Sequence, residues 1–292
     1  MKKTNPLLYR LAVIVWLYST AAPAIADSPK RIVSVGGALT EIIYALQGEA
    51  SLAGVDTTSS WPEAAKHLPQ VGYMRSLSAE GILSLAPDLV LVSAHAGPPA
   101  VLEQIRSAGV PVQTISEEYS EQSVLNKVST IAAIIGKPGV GETLAAQIHA
   151  DFSHLAQLRG QFYRQPSVMF FMAVSHGAPS VSGRETAADA MIRLAGGVNA
   201  IGDYAGNKPI GSEAIIAAAP EVILLTELTL NAVGGLDKFY QLPGIAQTPA
   251  GLNRQVIVMD TLALLSFGPR SGQAALELAD HLQKPANTAT TP

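Results

Sequence analysis

Residues 71–95 read VGYMRSLSAEGILSLAPDLVLVSAH, and residues 212–226 read SEAIIAAAPEVILLT. In the first stretch an amphipathic segment begins near Ser78, Pro87-Asp88 interrupts it, and the apolar run Leu89–Val92 follows. The run is short, bounded by a proline and rich in β-branched residues, which predicts a buried strand rather than a helix. Ser78 is a good N-cap, and Glu80 then falls in the first helical turn, where the helix dipole favours a negative charge. The second stretch repeats the arrangement. Glu213 precedes Pro220 by the same seven residues that separate Glu80 from Pro87, and an acid follows each proline (Asp88, Glu221) before an apolar run. Either glutamate alone reads as an ordinary helix-terminus charge. Two copies 133 residues apart predict two similar lobes, each presenting a Glu at the start of a helix.

Working outward, Arg31–Val35 is a predicted strand, Gly36-Gly37 a turn, and Thr40–Leu46 a helix stopped by Gly48. Ala50–Val55 and Val110–Ile115 are further strands, with a helix from about Pro99 to Ala108 between the focal strand and the latter. Alternation of strands and helices predicts parallel βαβ units. This first α/β lobe spans 27–125. A linking region, 126–165, contains the end of a helix over 122–135, the breaker Gly136-Lys137-Pro138-Gly139, and a long helix over 140–161. Leu144, Ile148, Phe152, Leu155 and Leu158 fall at helical spacing there, and its length, roughly 30 Å, suits a stiff strut. The second α/β lobe, 166–283, opens with the strand Ser167–Val174. It continues through a loop at Ser175-His176-Gly177, a helix near Thr186–Leu194, the repeated helix and strand, the strand Val256–Met259, a loop over 264–269 and a last helix near Ser271–Leu282. Residues 284–292 lack apolar content and predict a disordered tail. The expected architecture is therefore α/β: two lobes, each a mostly parallel sheet flanked by helices, joined by one long helix.

The chain opens MKKTNPLLYRLAVIVWLYSTAAPAIA and then Asp27. A basic start, an apolar stretch broken by Arg10 and an Ala-Ile-Ala ending predict a cleavable signal peptide over 1–26, too short and interrupted for a membrane span. This leader holds three cations and no acid, so its removal takes the formal charge from −4 to −7. An acidic protein is a poor partner for nucleic acid or an anionic membrane. There is no cysteine, which excludes disulfides, thiolate metal sites, Fe–S clusters and thiol catalysis. With Asp27 where a lipoprotein would need Cys, the expected product is a freely diffusing periplasmic protein.

The chemistry-bearing residues are few. Tyr73 sits in a loop with Arg75 two positions on. A loop tyrosine can simply pack its ring and leave its hydroxyl wet, or it can serve as a phenolate ligand to ferric iron. A free phenol titrates near 10, so the second role needs help of the kind a neighbouring guanidinium gives. The six histidines are scattered and form no zinc-type motif. His95 and His176 each lie in a loop after a predicted strand, where ligand crevices form in open parallel sheets. No G-x-S-x-G, Walker A or G-x-G-x-x-G motif is present.

With these residues in view, the chain resembles the periplasmic haem-binding proteins of bacterial haem ABC importers, within the wider cobalamin and ferric-siderophore binding-protein group. RIVSVGGALTEIIYAL is similar to the opening strand and helix of the whole group. GYMRSLSAEGIL, AGPPAVLEQI, SGRETAADAMIRLAGG and SFGPRSGQA resemble the haem branch in particular. The resemblance covers nearly all of the chain after the leader. It implies haem b as a transported ligand in the inter-lobe cleft, with Tyr73 as the iron ligand and Arg75 as its support. It implies that Glu80 and Glu213 dock on an inner-membrane ABC permease driven by its ATPase, with an outer-membrane haem receptor upstream. It also makes His176 a candidate contact for a second haem, a contact that His95 could share from its own loop after a strand, and it implies a carrier rather than an enzyme. One departure stands out: Asn207 precedes Lys208-Pro209 where many relatives carry an aromatic. The competing readings are a ferric-siderophore or cobalamin carrier of the same fold, and an exported two-lobed α/β enzyme.

Overall fold

The structure, a computed structural model, describes residues 28–174 and 178–284. The predicted leader, His176 and the tail beyond Lys284 lie outside the described residues.

The first lobe runs β1 (Ile32–Val35), α1 (Gly37–Ala45), β2 (Leu52–Val55), α2 (Ala79–Leu83), β3 (Leu89–Ser93), α3 (Pro99–Ser107) and β4 (Val112–Ile115). Its four strands are all parallel in the order β2-β1-β3-β4. Two helices, α4 (Glu121–Ile134) and α5 (Pro138–Arg159), lead to the second lobe. That lobe contains β5 (Ser167–Ala173), β6 (Ser180–Ser182), α6 (Ala187–Leu194), β7 (Val198–Asn199), β8 (Asn207–Pro209), α7 (Ser212–Ala218) and β9 (Val222–Thr226). It closes with α8 (Glu227–Val233), α9 (Leu236–Tyr240), α10 (Pro249–Leu252), β10 (Val256–Met259), α11 (Thr261–Leu265) and α12 (Ser271–Gln283). Its sheet order is β10-β9-β5-β6-β8, parallel from β10 to β5 and antiparallel through β6 and β8, with β7 beside β5.

The apolar runs form strands because both faces of each sheet are covered. In the first sheet Ile32 and Leu91 face the core shared with α1 and α4, while Val33, Val35, Val90 and Val92 face α2 and α3. In the second, Val168, Phe170 and Leu224 face the shared core, and Met169, Phe171, Ile223 and Leu225 face the opposite side. The shared core is continuous from lobe to lobe: α5 contributes Ile148, Phe152 and Leu155, and α12 contributes Ala275, Leu278 and Leu282. Close helix approach makes this possible. A Cβ on Gly141 of α5 would stand 2.5 Å from Ala132 Cβ of α4, and one on Gly272 of α12 would stand 2.7 Å from Asp151 Cβ of α5.

The sequence repeat is a structural repeat. α2 and α7 each begin with an exposed Glu in the first turn and bury one isoleucine two positions later, Ile82 and Ile215. After each helix an alanine takes a left-handed turn, Ala86 and Ala219, both at φ 43. The acid after each proline then receives the backbone at the start of its lobe's central strand. Asp88 Oδ2 accepts from the Lys30 and Arg31 amides, and Glu221 Oε2 accepts from the Ser167 amide.

Three details depart from the sequence expectation. Helix α1 starts at Gly37 rather than Thr40, because Gly36 at φ 124 makes the turn and its carbonyl accepts from the Leu39 and Thr40 amides. The three-residue strands β6 and β8, the latter at the sheet edge, and the short helices α8 to α10 carry no periodic signal and lie outside the sequence expectation. Helix α11 extends to Leu265, two residues into the predicted loop.

Candidate functional site

A cleft of about 1110 Å³ opens between the lobes, at or above the top of the ~300–1,000 Å³ range of small-molecule pockets. The first lobe contributes Tyr73, Met74, Arg75, His95 and Trp61; the second contributes Met172, Leu228, Asn231, Asn207 and the start of α6. Tyr73 is 46% exposed on the first wall, and Leu228, 68% exposed, is an apolar plate on the second. A flat ligand between them would meet hydrophobic faces on both sides.

The loop carrying Tyr73 is pinned on both flanks. The Gly72 carbonyl, in a residue at φ 93, accepts from the Thr57 amide, and the Tyr73 carbonyl accepts from the Ser76 amide. Gly97 of the AGPP segment donates its amide to the Met74 carbonyl and accepts from the Leu77 amide. The GYMR and AGPP segments are therefore one hydrogen-bonded unit, from which the Tyr73 side chain projects into the cleft lining. Ser78 caps α2 as expected, its hydroxyl accepting from the Gly81 amide.

Tyr73 and Arg75 line the same cleft, but among the described residues no hydrogen bond joins their side chains. The Arg75 charge reaches Tyr119. Burial pushes the Tyr119 hydroxyl above its ordinary value, the Glu117 carboxylate adds to the rise, and Arg75 partly opposes it. His95 stands on the same wall as Tyr73, half-exposed, with Nε2 3.6 Å from Glu117 Oε2. Glu80 and Glu213 do not line the cleft; both are exposed at the first turns of their helices.

The floor holds groups that spacing did not reveal. Ser93 donates to Glu117 Oε2 at 2.6 Å. Beside this pair is Lys127, whose side chain is 2% exposed. Its Nζ has no hydrogen-bond partner among the described residues. Burial holds its ammonium below the ordinary lysine value, with Glu117 pulling the other way. A trace was present in the sequence. Val124, Lys127, Val128 and Ile131 share the buried stripe of α4, so a cation occupies an apolar position of that helix.

An ion network joins the lobes at one edge of the cleft lining. Arg270 Nε donates to Glu41 Oε1 at 2.7 Å, its Nη1 lies 3.1 Å from Asp260 Oδ1, and its guanidinium stacks 4.6 Å over the Trp61 ring. Glu41, on α1, is 4% exposed. Burial pushes its carboxyl above the ordinary value; the Arg270 hydrogen bond and charge oppose this, and Asp260 adds to it. Nearby, the Tyr119 and Phe267 rings meet across the seam with centroids 5.3 Å apart.

The sequence profile of the periplasmic binding proteins matches residues 32–262. The chain is similar to the periplasmic haem-binding protein RhuT from Roseiflexus sp. RS-1 in its apo form. They share 42% identity over 88% of this chain and 99% of that one, with a TM-score of 0.84. It is similar to the periplasmic haem-binding protein BhuT in complex with two haems at 41% identity, 87% and 98% coverage and a TM-score of 0.83. A vitamin B12-binding protein of Yersinia pseudotuberculosis is 26% identical over 84% of this chain and 85% of its own length.

Proposed function

The chain belongs to the periplasmic binding protein family, and from that premise we propose that it captures haem in the inter-lobe cleft and delivers it to an inner-membrane ABC permease. The observation that carries this reading is the half-exposed Tyr73 phenol, held on a pinned loop that lines a cleft to which Met74 and Leu228 bring apolar side chains from the two lobes. Tyrosinate is a hard anionic donor suited to ferric haem, and the likeness to two haem-binding proteins at above 40% identity supports it. Haem b is the transported ligand, not a resident cofactor. Tyr73 takes the iron, and Arg75, which lines the same cleft, is its candidate support. His95, and His176 in the loop outside the described residues, are the candidate contacts for a second haem. The protein is a carrier and not an enzyme: binding and release are its whole task.

The exposed Glu80 and Glu213 stand at equivalent places on the two lobes and away from the ligand. That placement suits docking on a permease whose basic groups read both lobes at once, with its ATPase driving release. An outer-membrane haem receptor would supply the ligand upstream. In this reading residues 1–26 are a cleaved leader and the mature protein is periplasmic and unanchored.

The test is a visible titration of the purified protein with hemin. Wild type develops ferric–phenolate bands, and Tyr73→Phe loses them. Absence of those bands in wild type, or their persistence in Tyr73→Phe, refutes the assignment. The B12-binding relative motivates the competing arm: cobalamin that binds as tightly as hemin in the same cleft, with no dependence on Tyr73, replaces haem as the cargo.

A further inference from the structure

We infer that Lys127 is the anchor for an ionised carboxylate of the bound ligand, which on the reading above is a haem propionate. The inference rests on that reading and adds the group that recognises the ligand's acidic edge. Four cations line the cleft: Lys66, Arg75, Lys127 and Arg270. Lys66 is engaged by Glu63 at 2.7 Å, and Arg270 by Glu41 and Asp260. Arg75 is exposed at the rim beside Tyr73. Lys127 differs from all three. It is 2% exposed at the cleft floor, and its Nζ has no acceptor among the described residues.

An ammonium carries three donors, and a buried donor with no acceptor is costly in a folded protein. The nearby acid does not relieve it. Glu117 accepts from Ser93 and lies beside His95, and it acts on Lys127 through charge without a hydrogen bond. Burial already disfavours the charged form of Lys127. An entering carboxylate supplies both the missing acceptor and the opposing charge, and a charge-assisted pair in so dry a place is stronger than one at the surface. A neutral amide or ester edge offers a carbonyl acceptor but no opposing charge, so its hydrogen bond to the ammonium is the weaker one. Lys127 therefore selects porphyrins with free carboxylates.

The experiment uses the full mature protein and two probes, hemin and hemin dimethyl ester, delivered from the same solvent and followed by visible absorption and fluorescence quenching. Wild type is expected to bind hemin about 10- to 100-fold more tightly than the ester, the range of one hydrogen bond to a charged group. Lys127→Met is expected to bring the two probes within about threefold while leaving the iron–phenolate bands in place, since it removes one such bond and nothing else. Wild type that treats hemin and ester alike overturns the inference, and so does Lys127→Met that keeps the preference. Lys127→Gln, which keeps a donor, gives an intermediate preference. Should the haem reading itself be wrong, wild type shows no iron–phenolate bands with either probe, a result separate from loss of the preference.

Discussion

Replacing Arg270 by Met tests whether the ion network at the seam holds the lobes together. Glu41 is almost fully buried, and Arg270 is its one ion-pair partner among the described residues. Removing one member of a buried pair leaves an uncompensated charge and typically costs about 3–5 kcal/mol. In a protein of this size each kcal/mol moves the melting temperature by about 2–4 °C, so Arg270→Met should melt on the order of 10 °C lower at neutral pH. The pH dependence carries the sharper test. Burial already places the Glu41 carboxyl above its ordinary value of 4.5. The folded state thus holds this proton more tightly than the unfolded chain does, and stability from the group is lost as pH rises through that window. Without Arg270 the folded value rises further. The penalty should then be full at about pH 7.5 and largely absent near pH 4, where Glu41 is protonated in both states. Thermal unfolding followed by circular dichroism at the two pH values gives the answer. Glu41→Gln combined with Arg270→Met should recover most of the lost stability. An equal loss at both pH values, or a double variant no more stable than the single one, refutes the argument.

Two further outcomes follow from features away from the cleft. Glu80→Ala with Glu213→Ala should leave hemin titrations unchanged and lower stability by no more than about 1 kcal/mol per site, yet impair haem delivery to permease in proteoliposomes; weakened hemin binding would contradict the docking role. Gly141→Ala puts a methyl 2.5 Å from Ala132 Cβ, an overpacking worth about 1–3 kcal/mol, and should lower the melting temperature without altering the hemin spectrum.

How much of this could be read beforehand depends on where each signal is stored. The central strands announce themselves because burial on both faces demands continuous apolar runs, as in Leu89–Val92 and Val222–Leu225. The repeat is legible because each lobe solves the same local problem with the same residues: helix, left-handed alanine, proline, then an acid that receives the neighbouring strand. The strands β6 and β8 are not legible. They span three residues each, and β8 contains Pro209, which suits an edge but erases the alternating pattern. Helices α8 to α10 are four to seven residues long, too short to establish a period. At the cleft, Tyr73 and Arg75 share one loop and could be named together. Glu41 and Arg270 lie 229 residues apart, and Glu117 meets Ser93 across 24. Spacing along the chain holds no record of such meetings. The only hint is a charge in an apolar stripe, as at Lys127.

The unbroken core that runs through α5 and α12 bears on how quickly cargo can be taken up. Two halves on a loose tether would have to find each other around every arriving molecule, and each encounter would forfeit orientational entropy. Here that freedom is surrendered once, when the polypeptide folds, so the jaws stand ready at a set gap. Uptake should then run near the rate at which ligand diffuses to the opening, with little change in overall dimensions between the empty and loaded forms.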